Sequence, residues 1–90
     1  MLIISYDIQD ERLRNRFSKT LTKHGAIRLQ YSVYEVNNTE RILKNLMIIV
    51  EEQFAKKFSG SDSVIIFDVN GIKLKKYGNA IHRDTDIVYL

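Results

Sequence analysis

An α+β sandwich, one sheet backed by a single layer of two helices, is expected for this chain on three grounds. Its 90 residues suffice for one domain with a core of about that size. Apolar periodicity switches between the period of a strand and that of a helix in the order strand, helix, strand pair, helix, strand. Near the C-terminus, Asn70-Gly71 suits the type I′ turn that joins two antiparallel strands.

The first strand is read at residues 2 to 7, where Leu2, Ile4 and Tyr6 alternate with Ile3, Ser5 and Asp7. A helix follows from about Asp10, a good N-cap residue, to about His24, with Gly25 supplying a left-handed C-terminal turn. Leu13, Phe17 and Leu21 form its apolar stripe, while Arg12, Arg16, Lys19 and Lys23 recur on another face. The run AIRLQYSVYEV, 26 to 36, is rich in β-branched and aromatic residues, and a break near Gln30 would make it a strand pair. Asn38 or Thr39 then caps a second helix whose wide apolar face carries Ile42, Leu43, Leu46, Met47, Val50 and Phe54. KKFSGSD reads as a loop, SVIIFDV as a buried strand, VNGIKLKKY as a hairpin and TDIVYL as a last short strand.

This order is that of a ferredoxin-like βαββαβ sandwich with an extra C-terminal strand. Both helices cover one face of the sheet and leave the other bare. Alternation places Leu2, Ile4 and Tyr6, and then Leu29, Tyr31 and Val33, toward the helices. Ser5, Asp7, Gln30, Ser32 and Tyr34 are expected on the open face, which would be polar, aromatic and acidic near one end. Such a face suits a dimer cleft, and dimerisation would support a core this small.

Composition narrows the function. With no cysteine there is neither a disulfide framework nor a thiolate metal site, and two scattered histidines make no zinc constellation. The N-terminus lacks the pattern of a signal peptide and no stretch approaches ~18 apolar residues, so a cytoplasmic location is expected. The net charge of +3 is uneven. Residues 1 to 30 carry Arg12, Arg14, Arg16, Lys19, Lys23 and Arg28 against Asp7, Asp10 and Glu11, which is the whole surplus. Either polyanion binding or a solvated helix face accounts for it. Lys73, Lys75 and Lys76 would extend the charge or protect a strand edge. Asp7 likewise stands open to three readings: metal ligand, helix cap, or partner of Arg12 or Arg14. His24 and His82 read as solvated residues.

The stretch IISYD, the arginine-bearing helix after it and the run RLQYSVYE at 28 to 35 together resemble CRISPR-associated protein 2, a small ferredoxin-like homodimer of the CRISPR adaptation machinery. The likeness covers nearly the whole chain, and its most specific part is Gln30 to Glu35; relatives often have Phe where Tyr34 stands here. The resemblance implies a single domain, 1–90, in which residues 79–90 pair with the partner protomer. It makes Asp7 the catalytic residue and the metal ligand, two copies in the dimer holding Mg2+ or another divalent ion. Arg14, Arg16, Arg28, Ser32 and Tyr34 become the nucleic-acid-binding residues. The implied function is spacer acquisition: binding double-stranded DNA and bridging dimers of the integrase, CRISPR-associated protein 1, with metal-dependent endonuclease activity on RNA or DNA, single-stranded RNA included. Two rivals are a toxin-like ribonuclease of the virulence-associated type, which would act without an integrase, and a small-molecule-sensing ferredoxin-like regulatory domain, which would lack affinity for polyanions.

Overall fold

The computed structural model describes residues 1–37, 40–69 and 74–78. In chain order the elements are β1 (Leu2–Asp7), α1 (Glu11–Lys23), β2 (Ile27–Gln30), β3 (Val33–Val36), α2 (Glu40–Ile49) and β4 (Ser63–Asp68). Between α2 and β4 the chain widens into a π-helical turn, Val50–Phe54, and closes in a 3-10 turn, Ala55–Lys57. The strands form one antiparallel sheet in the order β2-β3-β1-β4, so the ferredoxin-like α+β expectation holds. The Asn70-Gly71 hairpin turn, the Asn38 or Thr39 cap and the C-terminal strand lie outside the described residues. Residues 74–77 are not in a strand.

Local chemistry explains where α1 starts and stops. Asp10 is the N-cap, its Oδ2 accepting the Leu13 N–H at 2.8 Å. At the other end Ala26 donates its N–H to Leu21 O and Gly25 donates to Thr22 O, both at 3.0 Å. This is a Schellman closure, and it requires the left-handed φ of +85° that Gly25 adopts. Leu13, Phe17 and Leu21 are buried as the stripe predicts.

The core gathers Leu2, Ile4, Tyr6 and Ile8 with those three residues, Leu46 and Phe54. Phe17 stands edge-on between the Tyr6 and Phe54 rings, each centroid 4.9 Å away. Met47, expected on the apolar face of α2, is exposed, and Ile49 packs against the core instead. Its position one residue past the buried Leu46 swings Met47 about 100° off the core-facing line.

The β2–β3 segment overturns the expected orientation. Cross-strand partners share a face, and Ile4 of the core faces Tyr34 while Leu2 faces Val36. Tyr34 is therefore in the core, 3% exposed, and Tyr31 is outside it, 65% exposed. One unbroken alternation through 26 to 36 fails because the register slips between Arg28 and Gln30 and the chain turns at Tyr31–Ser32. Each irregularity resets the phase.

The open face also differs from expectation. By register it carries Ile3, Val33, Ile65 and Phe67 around Ser5, with Asp7 beside Ser63 at one end. It is thus mainly apolar. At the other end Glu35 forms an ion pair with Lys76, and both side chains are largely buried. That pairing removes Lys76 from the free cationic surface.

Candidate nucleic-acid and metal site at the end of the first strand

The C-terminal end of β1 is where three connections meet. The Tyr6 N–H donates to Ser32 O at 3.1 Å, fixing the β2–β3 turn against the strand. The Gln9 N–H donates to Asp62 Oδ1 and the Ser59 N–H to Asp62 Oδ2, both at 2.8 Å. Those two backbone donors, Gln9 first and then Ser59, hold the Asp62 carboxyl below its ordinary pKa. One carboxylate so ties the loop before β4 to the loop after β1.

Asp7 is exposed at this end, on the open side of the sheet. The helix cap is Asp10, and among the described residues Asp7 forms no ion pair with Arg12 or Arg14. Its Oδ1 accepts the Gln9 side-chain amide at 3.0 Å. A carboxylate neither capping nor paired is an available hard oxygen donor.

The arginines separate into two sets because α1 turns about 100° per residue. Arg14 and Ser18 lie on one flank of the apolar stripe and Arg12 and Arg16 on the other. Arg14, Asn15 and Ser18 line a groove of about 100 Å³ with Tyr6, Arg28 and Tyr31. Within it the Arg28 guanidinium lies over the Tyr31 ring, 5.0 Å from its centroid, and Arg28 Nε donates to Gln30 O at 3.4 Å. Arg14 Nη1 donates to Ile8 O at 3.1 Å and Gln9 O at 3.3 Å. Arg14 Nε is buried without a partner among the described residues. Arg14 thus braces the loop that follows Asp7 as well as adding charge.

Arg16 belongs elsewhere. It sits over the Phe54 ring at 5.6 Å and lines a second depression, about 250 Å³, with Asp10, Arg12, Leu13 and Lys57. Of the residues expected to meet nucleic acid, Arg14 and Arg28 line the groove beside Tyr6 on the helix side of the sheet, the Ser32 backbone is tied to Tyr6, and Asp7 lies on the open side of the same strand end. Tyr34 reaches this region from inside, its hydroxyl hydrogen-bonded to Ser18.

No base stands ready in the groove. Burial, and then the neighbouring Tyr34, pushes the Tyr6 phenol up to about 12, so it is neutral at ordinary pH. His24 caps the far end of α1, its Nδ1 2.8 Å from Thr20 O. Thirteen residues of helix put it ~20 Å from the Asp7 end. His82 lies outside the described residues. Tyr31, Gln9, Ser18 and Asp62 are site neighbours that sequence reasoning missed; the nearest signal was the position of Gln9 two residues after Asp7.

Comparison with known proteins settles the family. The sequence model described as CRISPR associated protein Cas2 matches residues 1–79, most of the chain. The chain belongs to that family. A relative named CRISPR-associated endoribonuclease Cas2 1, from Methanospirillum hungatei JF-1, is 36% identical over 55 residues. The match covers 61% of this chain and 58% of that protein, so the chain spans less than two thirds of the relative's length. Among the described residues no helix is long and apolar enough to cross a membrane, and no group of three or more metal-ligating side chains occurs.

Proposed function

We propose that this chain is a nucleic-acid-binding subunit of CRISPR adaptation that works as a homodimer, with a divalent-metal nuclease centre built from the Asp7 of each copy. The observation that carries the reading is the state of Asp7: an exposed carboxylate at a strand end, held on one oxygen by Gln9 and, among the described residues, engaged in neither cap nor ion pair.

That donor fits a hard cation such as magnesium, which takes few protein carboxylates and keeps several waters. One carboxylate per chain is a sparse set, so the reading needs a second copy. The open face supports one, because Ile65 and Phe67 remain 51% and 47% exposed there beside Ile3 and Val33. Asp7 stands at the rim of this apolar face.

When bound, a divalent cation supplies charge stabilisation at the phosphodiester and a more acidic water. The chain's own residues do the rest. Asp7 would hold the ion, Gln9 would orient the carboxylate, and Arg14 and Arg28, which line the groove at this strand end, would neutralise phosphates. Such contacts are independent of sequence, as capture of varied DNA by an integrase-bridging subunit requires. The relative's name specifies an endoribonuclease, which makes single-stranded RNA the first cleavage substrate to try.

The test is Asp7→Asn, since an amide lacks the anionic oxygen that a hard cation prefers. Magnesium-dependent cleavage is expected to disappear while duplex binding and assembly with the cognate integrase persist. Cleavage at the wild-type rate would remove Asp7 from the metal centre.

A further inference from the structure

One exposed wall of the groove is the tyrosine that the alternation pattern places in the core. Tyr31 sits in the β2–β3 turn, carries Arg28 over one face and still has most of its surface in solvent. With one face beneath a guanidinium, the exposed area is on the opposite face and the edges. A flat, polarised ring held at the mouth of a cationic groove is a stacking platform for a nucleobase.

The groove beside it is small, about 100 Å³. It suits a phosphate or a sugar hydroxyl, and its walls offer Arg14, Arg28, Asn15 and the Ser18 hydroxyl. Tyr6, neutral at ordinary pH, adds no opposing charge.

We propose that Tyr31 and Arg28 form a subsite for one unpaired nucleotide, its base stacked on the Tyr31 ring and its phosphate at the Arg14–Arg28 groove. A base inside a duplex is already stacked and presents no free face, so the subsite selects single-stranded or frayed nucleic acid. The inference rests on the reading of this end of β1 as a nucleic-acid surface and adds to it a preference that phosphate contacts alone cannot produce.

The experiment compares binding of a short oligodeoxyadenylate, the same strand made of abasic residues, and a duplex of equal length. Tyr31→Ala removes the platform from an exposed position, and Tyr31→Phe keeps it. Wild type and Tyr31→Phe are expected to bind the base-containing strand about 5- to 140-fold more tightly than the abasic strand, the ratio equivalent to ~1–3 kcal/mol per stacked base. Tyr31→Ala is expected to bring that ratio close to one, and any loss of Arg28 support lowers the affinity of all three probes together and leaves the ratio as the readout.

Equal affinity of wild type for the base-containing and abasic strands, or a ratio that survives Tyr31→Ala, would overturn the subsite. If binding is then still salt-dependent, the phosphate surface stands and the stacking platform alone falls. Failure of all three probes to bind would bring down both.

Discussion

Alanine at Tyr34 and alanine at Tyr31 remove the same side chain from positions three apart, and the two should have very different consequences. Tyr34 is buried, its ring lies 6.1 Å from that of Tyr6 in a stacked arrangement, and its hydroxyl bonds Ser18. Emptying such a site costs about 3–5 kcal/mol by analogy with other large aromatic truncations. A domain of 90 residues has roughly 5–13 kcal/mol in total, so the variant should be close to unfolding. Tyr34→Phe keeps the ring and loses one hydrogen bond, about 0.5–1.5 kcal/mol. Tyr31→Ala loses a surface contact with Arg28, no more than about 1 kcal/mol. Thermal melts at one fixed concentration, necessary if the protein is dimeric, should show losses of at least ~12 °C for Tyr34→Ala and at most ~8 °C for Tyr31→Ala at ~4–8 °C per kcal/mol. Equal losses, or a larger loss at Tyr31, would refute the inward placement of Tyr34.

Gly25→Ala forces a Cβ into the left-handed conformation that closes α1, and a loss of about 1–2 kcal/mol is expected in urea unfolding; since no atom crowds that position, a neutral result would mean the Schellman closure is absent. For Asp62 the folded carboxyl has a depressed pKa, so its contribution to stability is fully present above the unfolded value, near 3.9, and is lost as pH falls through the folded one. Asp62→Asn should accordingly flatten the decline of melting temperature below about pH 4, and an unchanged acid limb would show that the carboxylate does not latch the two loops.

How much of this was legible beforehand can be judged residue by residue. The N-cap at Asp10, the stripe of Leu13, Phe17 and Leu21, the glycine turn at Gly25 and the inward set Leu2, Ile4 and Tyr6 are all local consequences of spacing and side-chain type. Neighbours within a turn or a strand decide them, and the sequence contains those neighbours. The same is true of the order of elements, and hence of the ferredoxin-like sheet.

Tertiary structure alone decided the facing of Tyr31 and Tyr34, because a bulge and a two-residue turn shift the side-chain phase in ways that composition does not encode. It also decided that Arg14 and Arg16, two positions apart, serve different surfaces, since that depends on what packs on each flank of α1. The surroundings of Asp7 belong to the same class. Its neighbour Gln9 is anchored by Asp62, more than fifty residues away in sequence, and a contact between elements that meet only after folding leaves no periodic trace along the chain.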